Sequence, residues 1–141
     1  MHPDSVLFVC TLNAVRSPMA AALLRHLRPG LSVESAGLEP GDPDFLMVAV
    51  MAELGLDLVG HTPHRLENLK PGQFALVVTL SPEAHHRALE WTRHARTPVE
   101  YWPTLDVAQM EGSRDQKLAA YRTLRDEIHK RLASRFHLTP V

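Results

Sequence analysis

The chain has one cysteine in 141 residues, Cys10. A single thiol excludes a disulfide framework and an intrachain redox pair, and it suits a reducing cytoplasm. No apolar run approaches the roughly 18 residues that a membrane span needs. The N-terminus has no basic segment followed by an apolar one, so neither membrane insertion nor export is expected. Charge of one sign is also lacking: 15 Lys and Arg stand against 16 Asp and Glu, a net −1. Such a balance offers no field to gather nucleic acid or an anionic lipid surface. Internal repeats, low-complexity stretches and linkers are missing too. Residues 1–141 therefore read as a single domain of ordinary globular composition, 45% apolar and 22% charged.

Nine histidines raise the question of metal. His61-Thr62-Pro63-His64 has a ligand-like spacing, but Pro63 interrupts it and no nearby cysteine or carboxylate completes a set. His85 and His86 are adjacent on an expected helix and point to different sides. His26, His94, His129 and His137 read as solvated helix positions. No metal site and no cofactor are expected.

What the chain does have is concentrated between Val6 and Leu27. Val6 to Val9 is a short apolar run with the β-branched and aromatic character of a buried strand. Cys10 follows, then Thr11 to Val15, then Arg16-Ser17-Pro18 and an apolar pattern at helical spacing through Met19, Leu23 and Leu27. Ser17 reads as an N-cap and Pro18 as the first helical residue. A strand-to-helix turn of this kind collects inward amides and the positive end of a helix, where a tetrahedral oxyanion fits. Arg16 can grip two of its oxygens in a planar fork. A thiol in such a field is held as the nucleophilic thiolate, aimed at phosphorus or a similar centre.

The remaining chain alternates strands and helices. Strands are expected at Leu31–Ser35, Phe74–Leu80 and Thr97–Trp102, the middle one apolar on both faces. Helices are expected at Asp44–Leu54 (with Phe45, Val48, Ala49 and Ala52 on one face), from Ser81-Pro82 to His94, and from a capping box at Ser113–Gln116 onward. A short helix is also expected after Thr62-Pro63. The last helix carries a stripe of Leu118, Tyr121, Leu124, Ile128 and Leu132, with Arg122, Arg125, Lys130, Arg131 and Arg135 on its solvated face. The alternation predicts an α/β domain: a four-stranded parallel sheet, helices on both faces, joined by right-handed crossovers. Ligands in such folds bind beyond the carboxyl ends of the strands, which places Cys10 and Asp106 on one rim.

Cys10-Thr11-Leu12-Asn13-Ala14-Val15-Arg16-Ser17, followed by Pro18-Met19-Ala20, resembles the phosphate-binding loop of the low-molecular-weight protein tyrosine phosphatases, whose scaffold the arsenate reductases share. Ser35-Ala36-Gly37 and the run from Tyr121 to Ile128 extend the resemblance over essentially the whole chain. The resemblance implies a Cys10 nucleophile forming a phosphocysteine, Arg16 on the transferred group, and Asp106 as general acid and then base. Thr11, Leu12, Asn13, Ala14, Val15, Arg16 and Ser17 would bind phosphate. Asn13, Ser17, Ser35 and His61 would hold the loop in shape.

Several positions depart from that pattern. Leu12 stands where glycine is usual, and Val15 replaces a second cysteine. Val107 replaces the proline after the acid, which leads one to expect a more mobile Asp106. In the segment Leu38–Phe45 no aromatic residue precedes Phe45, so the one that the resemblance places beside a phosphotyrosine ring is missing there. Three functions remain open at this point. They are hydrolysis of a phosphotyrosine protein or small aryl phosphate, arsenate reduction with an external thiol, and oxyanion binding without turnover.

Overall fold

In the computed structural model, residues 3–137 are described, so the outer ends of the 1–141 span lie outside the described residues. Four parallel strands, β1 (Ser5–Cys10), β2 (Ser32–Gly37), β3 (Leu76–Thr79) and β4 (Val99–Tyr101), form one sheet in the order β2-β1-β3-β4. The helices are α1 (Arg16–Leu27), α2 (Phe45–Ala52), α3 (Pro82–Trp91) and α4 (Arg114–Arg135). Because β2 lies to one side of β1 and β3 to the other, strand order reverses at β1. The loops that leave β1 and β3 therefore separate there and open a crevice.

Alternation along β1 divides the core in two. Val6, Phe8 and Cys10 face α1, α2 and α4, packing with Met19, Leu23, Met47, Leu124, Ile128 and Leu132. Leu7 and Val9 face α3 and the turn at Leu66–Asn68, packing with Leu66, Val77, Ala84 and Ala88. Helices thus cover both faces, as the alternating pattern predicts.

Several boundaries differ from the sequence reading, each for a local reason. The β1 ladder continues through Cys10, which pairs with Gly37, so the thiol belongs to the strand. Helix α1 begins at Arg16 with Val15 at its N-cap position, so Ser17 is a helical residue and caps nothing. Its hydroxyl is taken by Cys10 and Asn13 instead. After Thr62-Pro63 there is only a three-residue 3-10 turn at Leu66–Asn68. Helix α3 stops at Trp91, where Thr92 turns its hydroxyl back to the Ala88 carbonyl.

Helix α2 buries Met47, Val50 and Met51, and leaves Phe45 82% exposed, so its buried stripe is rotated from the expected one. Asp44 sets this rotation by capping α2 through Oδ1 while Oδ2 accepts the Tyr121 hydroxyl at 2.7 Å. Arg125 is buried, not solvated. It donates to the Val50 carbonyl at 2.7 Å and to Glu53 at 2.8 Å, tying α4 to the end of α2. Among the described residues no helix is long and apolar enough to cross a membrane.

Candidate active site

Strand β1 delivers Cys10 to the carboxyl end of the sheet, 2% exposed, and after five intervening residues the chain enters α1. Between them Thr11–Val15 form consecutive bends. Among the described residues, the backbone N–H groups of Leu12, Asn13, Ala14, Val15 and Arg16 donate to no other protein group. Four of these five residues are buried. Buried amides are nearly always paired, so this run of unpaired ones leaves donors open to an acceptor from outside the chain. The next amide, Ser17 N–H, points at Cys10 Sγ at 3.4 Å, and Ser17 Oγ lies 2.9 Å from the same sulfur.

Ser17 Oγ also accepts from Asn13 Nδ2 at 2.6 Å and lies 3.3 Å from the Ala36 carbonyl. Its single hydrogen therefore has two acceptors. It turns to the sulfur when the sulfur carries charge, and to Ala36 when the thiol keeps its own proton.

Asn13 shapes the loop. It is fully buried with φ 53, in the left-handed region that asparagine tolerates better than most side chains. Its Oδ1 accepts the His64 N–H at 2.9 Å, and its carbonyl accepts from His61 Nε2 at 2.9 Å. Burial, the largest influence, holds His61 below its ordinary 6.5, so the ring is neutral at pH 7. Because the partner is a carbonyl, the proton sits on Nε2. Thus His61 and His64 both serve this loop, one by its ring and one by its backbone. A Cβ on Gly37 would lie 2.7 Å from the Asn13 nitrogen, so only glycine lets β2 run this close. Ser35 is buried in β2 opposite Phe8, but among the described residues its hydroxyl makes no hydrogen bond to the loop.

Arg16, 7% exposed, spans two loops: its Nη1 is 3.4 Å from the Leu80 carbonyl and 3.3 Å from the Thr104 carbonyl. Its Nη2 lies 3.8 Å from Asp106 Oδ2, whose side chain is 48% exposed. The missing proline after Asp106 is replaced by another anchor. Val107 is 2% exposed and packs in the α4-side core, and residues Val107–Gln109 close a 3-10 turn. The burial of Val107 thus anchors the Asp106 loop, which the missing proline led one to expect to be more mobile.

Cys10, Thr11, Leu12, Ala14, Val15, Arg16 and Asp106 line one pocket of about 250 Å³, together with Glu83, Ala108 and Gln109. Asn13 and Ser17 lie behind its wall. Leu12 is 39% exposed, and its side chain lies over Gly41, as an apolar rim residue should. Glu83, in the first turn of α3, was not foreseen from the sequence. The reversal of strand order brings it in, because the loop after β3 borders the loop after β1. Thr11 Oγ1 lies 3.0 Å from Ser81 Oγ, the α3 cap, and fixes that border. A wider hollow of about 440 Å³ behind α1, lined in part by Arg25, His26, Leu56 and His61, holds no nucleophile. Among the described residues no three His, Cys, Asp or Glu side chains gather to hold a metal ion.

The doubly wound sheet thus presents one thiol beneath unpaired amides, with an arginine and a carboxylate beside it. The family model for low molecular weight phosphotyrosine protein phosphatase matches residues 5–137, and the chain belongs to that family. It is 30% identical over 128 residues to a glutaredoxin arsenate reductase from Synechocystis, covering 90% of this chain and 92% of that protein. It is 35% identical over 112 residues to the probable low molecular weight protein-tyrosine-phosphatase EpsP of Ralstonia solanacearum, covering 76% and 72%. The fold matches the Escherichia coli tyrosine phosphatase Wzb, solved with sulphate, at a TM-score of 0.77 and 24% identity, over 96% of this chain and 99% of that one.

Proposed function

We propose that the chain hydrolyses phosphomonoesters, with a phosphotyrosine protein or small aryl phosphate as substrate. The five unpaired amides around a lone thiol carry this reading, because they supply hydrogen-bond donors for the phosphoryl oxygens. Arg16 holds two of those oxygens and Ser17 stabilises the charged sulfur. Cys10 Sγ attacks phosphorus, the P–O bond to the leaving group breaks, and Asp106 gives its proton to the departing oxygen. Asp106, now a carboxylate, takes a proton from water as that water attacks phosphorus, and the P–S bond breaks to return the thiolate. Side chains and backbone amides supply every step. The single thiol must stay reduced to work, which fits the cytoplasm.

A second reading is favoured by the glutaredoxin arsenate reductase relative. Cys10 would attack arsenic and displace hydroxide. An external thiol would then attack the cysteine sulfur, forming a mixed disulfide and releasing arsenite with two electrons gained.

Release of p-nitrophenol from p-nitrophenyl phosphate separates the two. Hydrolysis is expected in the wild type and absent in Cys10→Ser. Asp106→Asn is expected to slow hydrolysis of phenyl phosphate by about 10²-fold or more. The loss is smaller with p-nitrophenyl phosphate, whose leaving group needs little protonation. Hydrolysis surviving in Cys10→Ser refutes the phosphocysteine route, and thiol-dependent arsenate reduction without phosphate release selects the second reading.

A further inference from the structure

We propose that Glu83 selects among phosphorylated substrates, favouring a phosphoryl group carried beside positive charge. The inference rests on the phosphomonoester reading of the pocket and adds the class of substrate flank. Glu83 lines the same pocket as Cys10 and Arg16, and it is exposed. Among the described residues its carboxylate enters no hydrogen bond and no ion pair, whereas Glu90, on the same helix, pairs with His86. Asp106 is the other carboxylate in the lining. The remaining lining above the floor is uncharged, Leu12, Ala108 and Gln109 among it. Among the described residues the one cation in the lining is Arg16, which is buried at the floor, where the phosphoryl group itself would engage it.

A site that only captured a free dianion would gain from a positive rim, which concentrates anions by steering. Here, among the described residues, the exposed and unpaired charge on the rim is the Glu83 carboxylate. The helix dipole accounts for an acidic residue in the first turn of α3. It does not account for that residue facing an anion pocket. Ser81, capping α3 and held by Thr11, fixes the helix start against the phosphate loop, so Glu83 stands at a set position on the wall. The arrangement suits a ligand with its phosphoryl group on the floor and an ammonium or guanidinium at the mouth. A lysine or arginine next to a phosphorylated residue in a peptide answers that description, and a flanking carboxylate would meet repulsion from Glu83.

The test uses two phosphotyrosyl peptides of equal length, one flanked by lysines and one by glutamates. Their dissociation constants are measured on the Cys10→Ser variant, and kcat/KM on the wild type. The lysine peptide is expected to bind about tenfold tighter at low salt, from one favourable and one unfavourable exposed charge pair. That ratio should shrink toward one at 1 M salt, where the screening length is only about 3 Å. In Cys10→Ser/Glu83→Gln it should fall severalfold, and Glu83→Lys should invert it. Equal affinities overturn the inference, as does a ratio unchanged by Glu83→Gln or failure of both peptides to bind. If the lysine peptide binds tighter and the wild type turns over neither, the selectivity stands and the hydrolytic reading falls.

Discussion

Replacing Asn13 with alanine removes the side chain on which the candidate phosphate loop is built. At φ 53 an ordinary L residue is disfavoured by about 1–2 kcal/mol, a cost that asparagine lessens by local hydrogen bonding. The substitution also deletes the bonds from Nδ2 to Ser17 Oγ and from His64 N–H to Oδ1, each about 0.5–1.5 kcal/mol net. The bond from His61 survives, because it ends on the Asn13 carbonyl. Together the losses come to about 2–5 kcal/mol, a fall in Tm of roughly 6–15 °C for a chain of this length.

Asn13→Gly loses the same side-chain bonds but adopts the backbone angle freely. Even after the entropy of a more flexible unfolded chain it should melt above the alanine variant, by about 0.5–1 kcal/mol. Calorimetry at pH 7 with and without excess inorganic phosphate reads both effects. Phosphate should raise the Tm of the wild type through binding to the folded form, and Asn13→Ala should lose most of that rise. An alanine variant within 2 °C of the wild type by this roughly 3 °C per kcal/mol scale, or one melting above the glycine variant, refutes the reasoning.

Two further outcomes follow from the geometry. Gly37→Ala would set a methyl group 2.7 Å from the Asn13 nitrogen and 2.8 Å from the Leu12 carbonyl carbon, both backbone atoms that must shift. A loss of hydrolysis of about 10²-fold with the far-ultraviolet dichroism intact is expected, since a displacement near 1 Å costs that much; unchanged turnover would show that the loop tolerates the shift. Burial holds His61 below its ordinary 6.5, so between the two values the unfolded chain binds more protons than the folded one. Stability is then present above 6.5 and lost as the pH falls through the lower folded value, so the wild type should lose more Tm between pH 7 and 5 than His61→Gln does. Parallel losses in the two proteins would mean that His61 contributes nothing to the acid limb.

The Asp106 loop shows a sequence departure with a tertiary counterpart that the sequence alone could not supply. Val107 does replace the proline, but the loop is fastened by Val107 sinking into the α4-side core, and a residue's burial depends on what α4 places opposite it. Arg125 makes the same point in reverse. On a helical wheel it belongs to the basic face, yet the end of α2 offers it the Val50 carbonyl and Glu53, partners 75 and 72 residues away in the chain. Ser17 reads as a cap because serine before proline usually is one. Tertiary contact with Cys10 and Asn13 gives it other work and moves the helix start to Arg16.

By itself, the sequence determined the features whose physics is local. The strand ending in a thiol, the five-residue spacing to Arg16 and the alternation that makes a parallel sheet all follow from residues close together in the chain. The crevice wall was decided by the tertiary structure, because β3 crosses to the far side of β1 and brings Ser81 and Glu83 to the loop after Cys10. Side chains separated by 70 or more residues along the chain, as Thr11 and Ser81 are, share a hydrogen bond only once the crossover has been made. No period or motif encodes that meeting, since it is set by how the sheet and its helices pack.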